Sequence, residues 1–146
     1  MTARTTEENP GIVGVDHVQL AAPVGSEEKA RDFYVAILGL KEIPKPSSLQ
    51  RRGGVWFQVG LHELHIGIED PKNFHPSRKA HPAFEVKDVG KLRQMLVSKG
   101  IRVRDDEPLP YADRFYADDP FGNRLEFLQK KNQRTGTAPR SGKRKI

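Results

Sequence analysis

The stretch VDHVQLAA, residues 15–22, alternates apolar and polar side chains in the manner of a β-strand. Pro23 ends this strand, and Ser26 is placed to cap a helix whose first turn is acidic. The helix carries a single apolar stripe and ends at Gly39. Further strands are predicted at about 41–43, 54–59 and 63–69. The first half of the chain therefore predicts the order βαβββ.

The same order of elements returns in the second half. HPAFEVK, residues 81–87, is a predicted strand, and Asp88 is placed to cap a helix that ends at Gly100. The apolar positions of that helix include Val89, Leu92, Met95 and Leu96. Strands follow at about 101–104, 114–117 and 124–129, the last of them after the turn at residues 119–122.

The two halves keep a nearly constant offset along the chain. Gly39 and Gly100 are 61 residues apart, and His17 and His81 are 64 residues apart. Two copies are too few for a solenoid, so the sequence predicts an α+β fold of two βαβββ modules. The predicted divisions are a disordered leader (1–11), a first module (12–70), a connector (71–80), a second module (81–129) and a basic disordered tail (130–146).

The net charge of +6 belongs to the C-terminal tail. Residues 130–146 carry seven Lys or Arg and no acid, which leaves 18 basic and 19 acidic residues elsewhere. The tail has no aromatic residue to stack on bases, so we expect no nucleic-acid partner.

The composition argues against several kinds of chemistry and location. The chain has no Cys, which excludes disulfides, thiolate metal sites and a cysteine nucleophile. It has neither a phosphate-binding GxxxxGK[ST] loop nor a dinucleotide fingerprint. No apolar run approaches the roughly 20 residues of a membrane span, and the N-terminus does not resemble a signal peptide. The expectation is a cytoplasmic protein without a membrane partner.

Four polar side chains lie on the face of their strands opposite the apolar one. They are His17, His65, His81 and Glu126, and they take near-equivalent positions in the two modules. A purely structural sheet would expose this polar face to water. If the strands curve toward one another, however, the four side chains converge. Imidazole nitrogen and carboxylate oxygen suit one divalent ion, with Zn, Ni, Co, Mn and Fe as candidates.

The sequence also resembles the vicinal oxygen chelate superfamily, which includes glyoxalases, bleomycin-resistance proteins and extradiol dioxygenases. The resemblance rests on VDHVQLAAP, ARDFYVAILGL, HELHIGIE, KAHPAFEV and FYADDPFGNRLEFLQ, and it runs from about Val15 to Gln129. It implies paired βαβββ modules that form a U-shaped mixed-sheet cup around a divalent metal. The family's ligand positions, on the first and fourth strands of each module, fall on His17, His65, His81 and Glu126.

The chain departs from each subfamily that it resembles. Lactoylglutathione lyases usually have a carboxylate or Gln where this chain has His65, and fosfomycin-modifying relatives usually have Thr where it has Gln19. Extradiol dioxygenases usually have longer chains of four modules. The resemblance therefore implies one fold, but it does not select one substrate class.

Other polar residues receive roles by their position beside the predicted ligands. Glu126 and Glu85 are the candidate proton carriers. Candidates for substrate contact are Gln19, Arg124 and Tyr116. His62 points to the opposite face from His65 and is expected to be exposed, whereas Trp56 is expected in the core or an interface.

Three functions remain open from the sequence. The first is a metal-dependent glyoxalase-like lyase, isomerase or transferase that acts on a small substrate with two adjacent oxygens. The second is a non-catalytic small-molecule-binding protein of the bleomycin-resistance kind. The third is an Fe(II) extradiol-type dioxygenase. A homodimer is expected in each case, because each module has an open sheet edge and similar two-module proteins pair.

Overall fold

The computed structural model describes residues 9–131, and the chain divides into two compact units, Met1–Phe74 and His75–Ile146. The division falls inside the segment that the sequence predicts as a connector, residues 71–80. Most of the predicted leader and tail, residues 1–8 and 132–146, lies outside the described part of the chain.

The first unit is a four-stranded mixed sheet with a helical segment after its first strand. Its elements are β1 (His17–Pro23), α1 (Glu27–Arg31) continued by a π-helical turn (Asp32–Ile37), β2 (Lys41–Ile43), a 3-10 helix (Ser47–Arg52), β3 (Val55–Val59) and β4 (His62–Glu69). The strand order is β1-β4-β3-β2. β1 runs parallel to β4, and the other neighbours are antiparallel.

The second unit repeats this arrangement. Its elements are β5 (Ala83–Glu85), α2 (Val89–Ser98), β6 (Val103–Arg104), β7 (Ala112–Asp118) and β8 (Arg124–Lys130). The strand order is β5-β8-β7-β6, with β5 parallel to β8. The predicted α+β fold with two βαβββ modules, each built around a mixed sheet, is therefore confirmed.

The helix ends follow the sequence signals in three of four cases. Gly39 and Gly100 adopt φ values of 75° and 76°, which side chains with a Cβ rarely tolerate. The Asp88 side chain accepts a hydrogen bond from the Lys91 backbone N–H at 2.9 Å. The capping role predicted for Ser26 is wrong. Its backbone is already helical, with φ −91° and ψ −1°, and its side chain makes no capping bond.

Each sheet uses one face for its apolar core. In the first unit the ring of Tyr34 stacks on Phe57 at 5.4 Å between centroids, and in the second Phe115 stacks on Phe127 at 5.3 Å. The largest fully buried side chains are Tyr34, Phe57, Phe115, Phe127, Leu64, Ile66, Leu96, Leu125 and Val55. Because strand side chains alternate, the residues between these positions point to the other face, which is the polar one.

Gly54 fixes how closely β3 approaches β4. It has a φ of 88°, and a Cβ at this position would collide with the carbonyl oxygen of Ile66. Only glycine allows the backbone to pass at this distance.

The second sheet extends one residue further than the sequence indicates. Lys130 pairs with Ala112 as the last residue of β8, and its ammonium lies 3.3 Å from the Glu85 carboxylate. The predicted start of the tail at residue 130 is therefore wrong by one position, because the strand ladder continues through it. Between residues 9 and 131, the helices are all too short or too polar to cross a bilayer.

Candidate functional site

The strand register gives His17, the first residue of β1, and His81, which precedes β5, the same relative position. The predicted strand at 81–87 is shorter in the structure and begins at Ala83. In the first unit Gln19 is the partner of His65, and His17 precedes Gln19 by two residues. In the second unit His81 lies two residues before the partner of Glu126. The equivalence that the sequence offset predicts is therefore present in the sheets themselves.

Three aromatic rings form a stack on the polar face of the first sheet. His65 lies in the middle, with the ring of Trp56 at 3.7 Å and an interplanar angle of 2°, and the ring of His17 at 4.2 Å and 18°. His65 is only 4% exposed, although it lies on the polar face. The two neighbouring rings cover its flat sides, so its free nitrogen is held in a defined orientation.

Each imidazole of this stack is bound to a carboxylate. Nδ1 of His17 donates to Asp16 at 2.8 Å, and Nε2 of His65 donates to Glu63 at 2.9 Å. An ionised carboxylate only accepts, so the anchored nitrogen of each ring carries a proton. The lone pairs then lie on Nε2 of His17 and Nδ1 of His65. Carboxylate-bound imidazoles are typical of protein metal ligands.

His81 shows the same pattern in the second unit. Its Nδ1 donates to the carbonyl oxygen of Lys79 at 2.8 Å, which leaves the lone pair on Nε2. Its ring meets the edge of Tyr116 at 5.2 Å between centroids. The backbone N–H of Glu126 donates to the adjacent Pro82 carbonyl at 3.0 Å. His81 and Glu126 are thus brought to neighbouring positions.

Glu126 is buried in a small ionic network. It is 6% exposed, and its Oε1 accepts from Nη1 of Arg114 at 2.7 Å. The same Nη1 donates to the Tyr116 hydroxyl at 2.9 Å. Burial raises the pKa of the Tyr116 phenol, and the hydrogen bond with Glu126 raises it further. Tyr116 therefore remains a neutral hydrogen-bonding group beside the carboxylate.

Arg114, which contacts Glu126, is a residue that the sequence analysis did not single out. Its guanidinium donates to the Glu107 carbonyl at 2.9 and 3.1 Å and lies 3.5 Å from the Asp106 carboxylate. These contacts hold the guanidinium in place beside Glu126. The turn at residues 119–122 could have indicated this contact. A tight hairpin there makes Tyr116 the partner of Glu126, and Arg114, two residues before Tyr116, lies on the same face of the sheet.

Trp56 and Glu63 were missed as neighbours of His65 for the same reason. The tight turn between β3 and β4 makes Trp56 the partner of His65, and Glu63 shares the face of His65 on its own strand. The expectation of a core or interface position for Trp56 therefore did not include its contact with His65. The residue is half-buried, and its ring lies against a candidate ligand.

The remaining predicted site residues occupy separate positions. The Arg124 guanidinium lies over the ring of Tyr116, 5.4 Å from its centroid. Glu85 is exposed and ion-paired with Lys130. The amide of Gln19 lies over Gly67, with its nitrogen 2.5 Å from where a Cβ would be.

The four candidate ligands appear as two pairs, one in each unit. Between residues 9 and 131, no three His, Asp or Glu side chains come together in a group that could hold a metal ion. The donor chemistry of each pair nevertheless fits a divalent metal. All three imidazoles have one nitrogen anchored to an oxygen, which leaves the other as an acceptor, and Glu126 supplies a carboxylate.

Comparison with known proteins identifies several similar chains. A sequence model of the Glyoxalase/Bleomycin resistance protein/Dioxygenase superfamily matches residues 14–127. A solved structure of a glyoxalase family protein from Bacillus anthracis is 52% identical, with 84% of this chain and 99% of that chain covered and a TM-score of 0.79. The comparison with curated proteins gives no match.

Two more distant structures share the fold. The fosfomycin resistance protein FosX from Listeria monocytogenes is 18% identical, covers 83% of this chain and 94% of its own, and has a TM-score of 0.67. TnmS3, an antibiotic binding protein from Streptomyces sp. CB03234, is 20% identical, covers 83% and 100%, and has a TM-score of 0.61. At this level of identity the likeness concerns architecture alone.

Proposed function

Because the chain belongs to the Glyoxalase/Bleomycin resistance protein/Dioxygenase superfamily, we propose that it is a metal-dependent glyoxalase-like enzyme. The reaction would be of the lyase, isomerase or transferase type, on a small substrate with two adjacent oxygens. One divalent ion, with Zn, Ni, Co, Mn and Fe as candidates, would be held by His17, His65, His81 and Glu126.

The anchoring of the three imidazoles is the observation that carries this proposal. Each ring donates through one nitrogen to an oxygen, which fixes its tautomer. A ring anchored in this way offers its second nitrogen as a ready lone pair, and the anchoring partner increases its basicity. Three anchored rings and a buried carboxylate, all at predicted ligand positions, favour a metal centre over a solvated polar face.

In this proposal each residue of the site has its own chemical role. A bound divalent metal supplies a Lewis acid for charge that develops on two adjacent substrate oxygens. Glu126 is the candidate that accepts and returns a proton, since it is buried and close to a neutral phenol. Arg114 pairs with Glu126 and fixes one of its carboxylate oxygens at 2.7 Å. Tyr116 can donate its hydroxyl hydrogen to a substrate oxygen or to the carboxylate.

Glu85 and Arg124 have secondary roles in this proposal. Glu85 shares the face of Glu126, but its exposure and its ion pair with Lys130 make it a weaker proton carrier. Arg124, stacked on Tyr116, is placed to contact substrate rather than metal.

The same proposal includes a homodimer. The outer strands of each described sheet leave backbone groups that a second copy can cover. A second copy would also supply further ligands, as the resemblance implies. Light scattering at micromolar concentration should give twice the mass of the chain, and a monomeric mass would contradict the dimer.

Metal analysis tests the ligand set directly. Each of His17→Ala, His65→Ala, His81→Ala and Glu126→Ala should bind less metal than the parent protein in calorimetric titrations of the chelator-treated form. His62→Ala is the matched control, because His62 is exposed on the opposite face of the same strand. Metal affinity should also fall as the pH is lowered, because protons compete for the imidazole nitrogens. Equal affinity in all five variants would show that the ligand set is wrong.

Turnover tests the enzymatic part of the proposal. Hemithioacetals, epoxides, 2-oxo acids and catechols, offered to the metal-loaded protein, cover the reaction classes open to such a site. Glu126→Gln should remove most turnover and leave the fold intact. If the metal-free protein binds one of these compounds undiminished and no class is converted, the chain sequesters its ligand and the catalytic proposal fails.

A further inference from the structure

A pocket of about 160 Å³ lies within the first unit, beside the ring stack. Its polar lining consists of Gln19, Lys45 and Arg52, and Trp56 forms one of its walls. We propose that this pocket binds an anionic head group, a carboxylate or a phosphate, of the substrate. This inference rests on the proposed function, because it assigns a substrate class to the same site.

The charges in the pocket point to an anion. Two of its lining residues are cations, whereas none is acidic. In the described part of the chain, neither Lys45 nor Arg52 is ion-paired with a carboxylate. Two cations that line one cavity repel each other, and a bound anion reduces that repulsion.

The hydrogen bonds at the pocket leave donors for a ligand. Lys45 donates to the carbonyl oxygen of Gly53, but an ammonium carries three N–H groups. The carboxylate of Glu27, which lies beside Gly53, accepts from the backbone N–H of Gly54 at 3.1 Å. That carboxylate is thus engaged by the backbone, and Arg52 contributes a planar set of donors suited to carboxylate and phosphate oxygens.

The size and position of the pocket define what it holds. Pockets that enclose a whole drug-sized ligand have roughly 300–1,000 Å³, so this one fits a group of the size of a carboxylate or a phosphate rather than a drug-sized molecule. Trp56 lines the pocket and also stacks on His65, and Gln19 lies opposite His65 in the sheet. An anion bound here would therefore hold the rest of a substrate beside the candidate ligands of the first unit.

Trp56 is the only tryptophan of the chain, and its fluorescence provides the measurement. Phosphate, acetate and the neutral analogue acetamide are titrated separately into the full-length protein, previously freed of metal with a chelator. Phosphate or acetate should change the emission in a saturable manner, and acetamide should not. The stronger of the two anions identifies the head group.

Two variants and a matched control locate the binding. Arg52→Gln and Lys45→Gln should each raise the dissociation constant of the anion by at least about tenfold, the scale of one lost charge-assisted hydrogen bond. Arg51→Gln should change it less than twofold, because Arg51 belongs to the same 3-10 helix but does not line the pocket. No saturable anion binding, equal losses in Arg51→Gln and Arg52→Gln, or equal binding of acetamide would overturn the inference.

One further variant separates this inference from the proposed function. His17→Ala should lose metal affinity yet bind the anion with an unchanged dissociation constant, because His17 does not line the pocket. If metal binding is intact but no anion binds, only the pocket assignment fails. If the anion binds but no variant of the ligand set affects metal, only the metal assignment fails.

Discussion

The two units share one strand plan but hold their fourth-strand residue by different forces. In each sheet an aromatic residue is the direct partner of that residue, Trp56 opposite His65 and Tyr116 opposite Glu126. Trp56 covers the imidazole ring by stacking at 3.7 Å, whereas Tyr116 belongs to a hydrogen-bonded network around a carboxylate. The difference follows from the side chain being held. A neutral imidazole can be buried between rings, but a carboxylate needs a cation and donors.

The segments before the third strand of each unit differ in charge. Residues 45–52 contain Lys45, Arg51 and Arg52, whereas residues 105–111 contain Asp105, Asp106 and Glu107. The acids Asp105 and Asp106 are paired, with Arg93 at 2.8 Å and Arg114 at 3.5 Å. The strands thus preserve the plan, while the connecting segments give one unit a cationic pocket and the other an internal ion network.

The largest expected effect comes from breaking the network of the second unit. Arg114→Met should lower the free energy of unfolding by about 3 kcal/mol or more, because it leaves the buried Glu126 charge without its partner. Urea denaturation measures this. Arg104→Met is the control, since its ion pair with Asp118 is partly exposed and should be worth less than about 1 kcal/mol. Similar losses in the two variants would mean that Glu126 does not depend on Arg114.

A smaller effect is expected from the stack of the first unit. Trp56→Ala should cost about 2 kcal/mol of stability, since a half-buried ring is removed, and should also weaken metal binding by releasing His65. Trp56→Phe should recover most of the metal affinity, because a flat ring remains. Thermal unfolding and calorimetric titration report the two quantities. Metal affinity unchanged in Trp56→Ala would show that the stack does not orient His65.

The smallest expected effect concerns the anchors of the imidazoles. Glu63→Gln should reduce metal affinity by about tenfold, the lower end for groups that orient a ligand, and leave stability almost unchanged. Asp16→Asn should have a weaker effect, because the Asp16 side chain is 91% exposed and its bond to His17 competes with water. Equal effects at the two positions would show that burial of the anchor does not matter.

The sequence predicted the features that depend on the residue pattern within a single strand or helix. Alternation and the repeat identified His17, His65, His81 and Glu126 together with their faces, and glycines marked both helix ends. The features that it missed are contacts between elements that lie side by side. The contacts of Arg114 and Trp56 follow from hairpin register, and the pocket formed by Lys45 and Arg52 depends on how a short helix lies against the sheet. Ser26 failed as a cap because capping requires a particular backbone conformation, which residue type alone does not determine.

The π-helical turn at Asp32–Ile37 lies within the stretch in which the two halves differ in length. Gly39 follows His17 by 22 residues, whereas Gly100 follows His81 by 19, and beyond these glycines the offset between the halves stays at 61 up to His65 and Glu126. If the halves descend from one ancestral gene segment, the net insertion of three residues occurred between first strand and helix end. A π-turn absorbs an added residue without breaking a helix. Tyr34 in this turn packs on the core face of the sheet, so the insertion left the opposite face undisturbed.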